Sequence, residues 1–232
     1  MNWRYAALDH AQAAAPNESC GLVVNCDGIE VYWDCRNIAD GLDCFIIDPI
    51  DWADAEDTGV IMAVVHSHPG QSPEPSSMDI AACNRSRLPW YIVNPTDGSW
   101  RKCLPLVGRQ WEWAVSDCWT LVHDWYLMHG LMLPDWERPS LEEFEAQPLF
   151  DGLWEAAGFH ELAADALLLP GDALLMHIGD QQLNHVGVFI GNGMMLHHLR
   201  DHLSERDHCR PGLTGRRLRH AEASKLVAGA GW

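Results

Sequence analysis

Two histidines, a serine and an aspartate stand at fixed intervals in the first half of the chain: His66 and His68, then Ser76 and Asp79. The apolar run Val60 to Val65 just before them predicts a buried strand. Strand residues two apart point to one face, so His66 and His68 project together from the strand's end. Pro69, Gly70, Pro73 and Pro75 then force a loop. Ser76 reads as a helix N-cap with Asp79 in the first turn. Two imidazoles and a carboxylate meeting at a strand–loop–helix junction suit a zinc ion with an open fourth position. A His-x-His near a turn is more often plain surface, but the Pro-Gly, the Ser and the Asp at these offsets shift the balance toward metal. Zinc so held lowers the pKa of bound water, and a neighbouring carboxylate can shuttle the proton.

A second reactive set lies downstream. Cys118 opens a helical pattern through Leu121, Val122, Trp125 and Tyr126 that stops at His129-Gly130. A helix N-terminus favours a thiolate, Asp117 opposes it, and a histidine partner is needed. A lone cysteine is usually an inert core residue. His185 begins an alternating strand-like run to Ile190, and Gly191-Asn192-Gly193 turns the chain into Met194, Met195, Leu196, His197 and His198. A two-residue Asn-Gly turn puts His198 on the face of His185, whereas a three-residue Gly-Asn-Gly loop puts His197 there. Periodicity leaves both open. His177, His202 and His208 read as surface, and Cys209 as incidental.

The elements that must position these groups follow from pattern. Residues 5–15 are strong helix formers stopped by Pro16. Residues 20–25 and 29–33 predict a hairpin across Cys26-Asp27-Gly28, which sets Glu18 just before a strand. Residues 35–47 predict a further strand with Phe45-Ile46-Ile47 as its apolar part, and 49–57 a short helix. The helix begun at Ser76 continues to Arg87. Strands are expected at 90–93 and 100–104, separated by a turn. Pro105-Leu106-Val107-Gly108-Arg109 reads as a short stiff linker between domains 1–106 and 110–232. Leu169-Pro170-Gly171-Asp172 is a turn entering a strand. Residues 200–225 hold seven of the second half's eight basic residues and read as solvated surface.

Composition bounds the rest. The 232 residues suffice for one large or two small domains. No run approaches the ~18 apolar residues that a membrane span needs. Met-Asn-Trp-Arg-Tyr at the start lacks a signal-peptide pattern, which predicts the producing cell's cytoplasm as first location. The eight cysteines include no Cys-x-x-Cys pair, which argues against a structural zinc cluster. In a reducing compartment they stay free. A formal charge of −18 argues against a nucleic-acid surface. Twelve tryptophans serve either a core or a partner surface.

The series His66-x-His68, seven residues, Ser76, two residues, Asp79 resembles the JAMM (MPN/Mov34) metallopeptidase motif. Pro16-Asn17-Glu18-Ser19-Cys20-Gly21-Leu22 resembles that family's Pro-x-Glu-x-Cys-Gly-Leu segment. The resemblance implies His66, His68 and Asp79 as Zn2+ ligands, Glu18 as general base and Ser76 as oxyanion stabiliser. The order Asp117-Cys118, Pro170-Gly171-Asp172, His185-Val186-Gly187, Gly191-Asn192-Gly193 and a following histidine resembles the NlpC/P60 cysteine peptidases, papain-like enzymes that cut bacterial wall peptides. It implies Cys118 as nucleophile, His185 as base and, by the family's spacing, His197 as the group orienting that base. Both domains in one short chain resemble the tail assembly protein K family of long-tailed bacteriophages. That implies two α+β domains: a mixed sheet with flanking helices, then a helix bearing Cys118 packed on an antiparallel sheet. It also implies a bifunctional peptidase acting in tail assembly and wall penetration. Its partners would be cell-wall peptides and other tail-tip proteins, with no nucleic acid. It would work in the host cytoplasm during assembly and at the virion tail tip afterwards. Two other readings compete: a tail-tip structural protein with one or both sites vestigial, and a deconjugating enzyme for ubiquitin-like tags. The second domain weighs against the last of these.

Overall fold

The computed structural model describes residues 2–146, 150–179 and 181–226. The chain divides into two compact units, Met1–Pro105 and Leu106–Trp232, and each is α+β.

In the first unit α1 (Trp3–Ala14) starts where Asn2 accepts the Arg4 N–H. The hairpin of β1 (Cys20–Cys26) and β2 (Ile29–Cys35) closes on Asp27-Gly28. Both turn residues take left-handed φ angles, as a two-residue hairpin turn requires. Then follow α2 (Pro49–Thr58), β3 (Val60–Ser67), α3 (Ser77–Ser86), β4 (Trp90–Val93) and β5 (Trp100–Cys103). The sheet order is β2-β1-β3-β4-β5. It is mixed, because β3 and β4 run parallel while their neighbours are antiparallel. Ala7 of α1 packs with Val23, Ala63 and Val65 on one face, under Trp3, Tyr91 and Trp100. Val64 and His66 point to the opposite face by strand alternation.

The strand expected over 35–47 does not form; a single bridge, Asn37 to Ile47, is all that remains of it. The Asn37 amide takes the place of a ladder. Its Nδ2 donates to the carbonyls of Glu18 and Cys44, and its Oδ1 accepts the N–H groups of Ala39 and Ile46, each at 3.0 Å. One side chain thus satisfies a loop's backbone groups and ties it to the Glu18 segment.

In the second unit α4 (Cys118–Met128) packs on the strands. After it come α5 (Leu141–Ala146), α6 (Phe150–Ala156), β6 (Phe159–Glu161), β7 (Ala173–Met176), β8 (His185–Gly191), β9 (Met194–His197), β10 (Glu205–His208) and β11 (Thr214–His220). The antiparallel sheet has the order β10-β9-β8-β7-β11-β6. The region expected as solvated surface therefore supplies two strands, and β11 is an interior one. Two of its arginines meet carboxylates inside the unit, and Arg217 donates to the carbonyls of Ala164 and Ala166. Arg219 grips Asp172 with two hydrogen bonds of 2.8 and 2.7 Å, and Arg216 reaches Glu161 at 2.7 Å. The stretch read as a linker is also tied down: Gly108 N–H donates to the Ser204 carbonyl at 2.8 Å, and the Arg109 guanidinium meets Asp124 at 2.6 Å. Among the described residues no helix is long and apolar enough to cross a membrane.

Candidate functional site

The metal-type cluster is assembled by three elements. β3 ends in His66-Ser67, and His68 follows on the same face. Ser76 caps α3 in a reciprocal box: Asp79 N–H donates to Ser76 Oγ at 3.1 Å, and Ser76 N–H donates to Asp79 Oδ2 at 2.7 Å. That box fixes the Asp79 carboxylate in the first turn, aimed at the strand end. His66 Nε2 lies 3.1 Å from His68 Nε2 and 3.2 Å from Asp79 Oδ1, and His68 Nε2 lies 3.5 Å from Asp79 Oδ2. The three donor atoms all sit within 4.8 Å of one another.

The surroundings fit a cation. His68 Nδ1 is 3.0 Å from the Ser72 carbonyl, a bond in which it must be the donor, so Nε2 carries the lone pair. His66 is fully buried between Phe45, stacked at 4.7 Å, and the edge of Trp90 at 5.5 Å. Two imidazoles and a carboxylate, held by packing, are a donor set suited to zinc with room for a fourth ligand. Burial disfavours the Asp79 carboxylate, yet the His66 and His68 rings beside it and the Ser76 N–H hold it well below the usual range. Burial lowers His66; His68 is also disfavoured by burial, but Asp79, the Ser72 carbonyl and Glu18 raise it overall.

Glu18 stands outside the triangle of three but beside it. Cys20 pairs with His66 in the β1–β3 register, so extending the ladder two residues brings Glu18 level with His68. Ser67 N–H donates to the Ser19 carbonyl at 3.2 Å and Ser19 N–H to Ser67 Oγ at 2.8 Å, which zips this end. Glu18 is buried, and its pKa is pushed up to about 7, first by burial, with His68 pulling it down and Asp79 and Asp43 pushing it further up. A carboxyl poised near neutrality suits proton transfer.

The second constellation is built on α4 and β8. Asp117 caps α4, with Oδ1 accepting Thr120 N–H and Oδ2 accepting Ala114 N–H, each at 2.9 Å; Arg138 Nε sits 3.1 Å from the same carboxylate. Cys118 and His185 line one cavity of about 530 Å3, together with Trp111, Asn184, His198 and Arg200. Cys118 also lines an apolar cavity of about 270 Å3, walled by Trp113, Trp119, Trp136, Phe144 and Trp154.

His185 Nε2 and His197 Nδ1 are 3.1 Å apart. The way His197 gets there resolves the ambiguity of the turn. Asn192 and Gly193 form a two-residue turn with left-handed φ, closed by the pair Gly191–Met194. That alone would bring His198 opposite Gly187. But the register shifts between Phe189 and Gly191, so Ile190 is an extra residue and Gly187 faces His197 instead. Gly187 is needed at that point: a Cβ there would lie 3.1 Å from the Cβ of His197. His198 is fully buried, its Nε2 bonded to the His202 carbonyl at 3.1 Å.

The electrostatics run against the expected thiolate. Burial, then Asp117, push the Cys118 thiol up to about 12, while the Val186 backbone, Arg138 and the Trp119 backbone act the other way. Burial, then His197 and His198, hold His185 down to about 3. Desolvation outweighs the helix dipole at Cys118, which is only 7% exposed. His177, expected at the surface, is half-buried, whereas His202 and His208 are exposed. The sequence reading missed Asn37 and Arg138. Arg138 had a signal, as the sole basic residue between Arg109 and Arg200. Asn37 had none, because its partners are set by tertiary contacts.

Two family descriptions match: prokaryotic homologs of the JAB domain over residues 2–103, and the NlpC/P60 family over residues 108–221. Tail tip assembly protein K of Escherichia phage N15 is 36% identical over 210 residues, 87% of this chain and 86% of its own length. Its namesake in Escherichia phage lambda is 38% identical over 162 residues, 69% and 81% respectively. A solved NlpC/P60 family protein from Bacillus cereus is 14% identical, with a TM-score of 0.39 over 91% of this chain and 66% of its own. The matches to the two phage proteins run through both units and most of both phage proteins, and the chain belongs to the tail tip assembly protein K family.

Proposed function

We propose that the protein is a bifunctional peptidase of a phage tail tip, acting with other tail proteins in assembly and on cell-wall peptides during entry. The observation that carries this reading is that each unit gathers its own reactive side chains: His66, His68 and Asp79 beside Glu18 in one, Cys118 and the His185–His197 pair in the other. In the first unit His66, His68 and Asp79 would hold zinc, which supplies Lewis acidity toward a carbonyl and toward water. Glu18 would take and return the proton. Ser76 Oγ accepts the Asp79 N–H, so its own O–H stays free to donate to an oxyanion.

In the second unit the Cys118 sulfur attacks a stem-peptide carbonyl carbon as its proton passes to His185 Nδ1. The imidazolium then protonates the departing amine nitrogen, leaving a thioester that water hydrolyses. A neutral thiol and a neutral imidazole are favoured in the empty cleft, so proton transfer accompanies attack rather than preceding it. A second reading, a tail-tip building block whose cysteine is silent, is favoured by the depth of Cys118 alone.

Digestion of wall peptides by the wild type, Cys118→Ala and His68→Ala, with metal analysis of each, tests the proposal. The expected result is about one zinc per chain, lost in His68→Ala, and wall-peptide cleavage lost only in Cys118→Ala. Chelation should leave that cleavage intact. Absence of cleavage by wild type leaves the building-block reading for the second unit.

A further inference from the structure

His197 turns Nδ1 toward His185, and its other ring nitrogen, Nε2, is buried with no hydrogen-bond partner. The proton count at this pair is determinate. A neutral imidazole has one N–H and one lone pair. If His185 is to accept the Cys118 proton at Nδ1, its own N–H is on Nε2 and donates to His197 Nδ1. His197 must then carry its proton on Nε2, the nitrogen left without an acceptor. A buried N–H without an acceptor is costly, and the ring would escape by moving the proton to Nδ1, which reverses the pair and turns His185 away from its task.

One acceptor is within reach. Glu205 Oε1 lies 4.0 Å from His197 Nε2. Glu205 sits on β10 directly opposite His197 in the register, so the backbone ladder fixes their proximity. Its side chain is 56% exposed and makes no other ion pair among the described residues, which leaves it free to close the remaining gap by a rotamer change. The neighbouring charges are committed elsewhere: Asp207 stands opposite Met195, and Arg210 donates to it at 2.8 Å.

We propose that Glu205 is a positioning residue of the cysteine site: its carboxylate accepts the His197 Nε2 proton, fixes the tautomer of that ring, and through it aims the basic nitrogen of His185 at the thiol. The proposal rests on the reading of Cys118, His185 and His197 as a hydrolytic relay. It adds a fourth member, on a strand that carries no sequence motif.

The test is 15N NMR of histidine-labelled wild type, Glu205→Ala and Glu205→Gln, with wall-peptide turnover on the same samples. Glutamine keeps an acceptor oxygen. Wild type and Glu205→Gln should hold His197 as the Nε2–H tautomer, whereas Glu205→Ala should populate Nδ1–H. The alanine variant should lose about two- to five-fold in kcat, as expected for a half-exposed charged partner, with KM unchanged and most of the loss restored by glutamine. A half-exposed side chain is removed without a folding defect, which thermal unfolding checks. An Nδ1–H tautomer in wild type, or an unchanged tautomer in Glu205→Ala, overturns the proposal. If wild type cuts no wall peptide, the peptidase reading fails separately, and the tautomer alone then decides the role of Glu205.

Discussion

Gly187→Ala is the sharpest probe of the His185–His197 pair. The new methyl would meet the His197 Cβ at 3.1 Å, the Leu196 carbonyl oxygen at 3.1 Å and the Met176 methyl at 3.3 Å. All three are tighter than ordinary contact, and only the methionine end yields easily. Overpacking of this kind costs about 1–3 kcal/mol, and replacing glycine recovers about 0.4–1 kcal/mol through the unfolded chain, leaving a net loss of about 1–2 kcal/mol. For a domain of this size that lowers Tm by about 3–10 °C. The functional effect should be separable from the loss of stability. Pushing His197 away by a few tenths of an ångström weakens its bond to His185, worth about 0.5–1.5 kcal/mol, or roughly a two- to twelve-fold fall in kcat. Gly212→Ala is the control, because a Cβ there meets nothing within 4 Å. The assay is wall-peptide hydrolysis at a temperature well below both melting points, with thermal unfolding of each variant. If Gly187→Ala loses stability as calculated yet cleaves like Gly212→Ala, His197 does not orient His185.

Three further outcomes are expected. Glu18→Gln should keep its zinc and lose zinc-dependent cleavage, whereas Asp79→Ala should lose the metal itself, as inductively coupled plasma analysis will report; metal loss in Glu18→Gln would make Glu18 a ligand instead. Cys118 should alkylate slowly at pH 8, because its thiol is pushed up to about 12 by burial and Asp117, and Asp117→Asn should speed the reaction by removing that charge while the favourable charge of Arg138 remains; an equal rate in wild type and variant would mean burial alone controls the thiol. His185 is held down to about 3 from 6.5, so the unfolded chain binds a proton there that the folded chain does not, and stability should fall as pH drops from 6.5 toward 3. Urea unfolding of His185→Asn across that window should show a shallower loss than wild type, and parallel curves would refute the assignment.

Much of this protein was legible in its sequence because the informative signals are local. His-x-His at a strand end, Ser three residues before Asp at a helix start, and Cys after a capping Asp all encode geometry within a few residues, where strand alternation and capping operate. Those patterns led to both domain families and to two α+β units. The mixed first sheet and the antiparallel second one followed from them.

What failed were judgements that depend on partners distant in the chain. The apolar segment Phe45-Ile46-Ile47 looks like a strand by propensity, but the Asn37 amide captures its neighbours' backbone groups and leaves Phe45 to stack on His66. The arginine-rich C-terminal stretch looks like solvated surface, yet Arg219 finds Asp172, 47 positions earlier, and that pairing lets β11 run inside the sheet. The helix dipole at Cys118 is readable from sequence, while the burial that overrides it is not. The position of His197 shows the division most clearly. The turn is the two-residue type that Asn-Gly specifies, and by itself it would bring His198 opposite Gly187. The single extra residue at Ile190 reverses that outcome. A bulge shifts every side chain beyond it to the other face of the sheet. Composition and spacing therefore determined which groups are available for chemistry, and tertiary packing decided which of them meet.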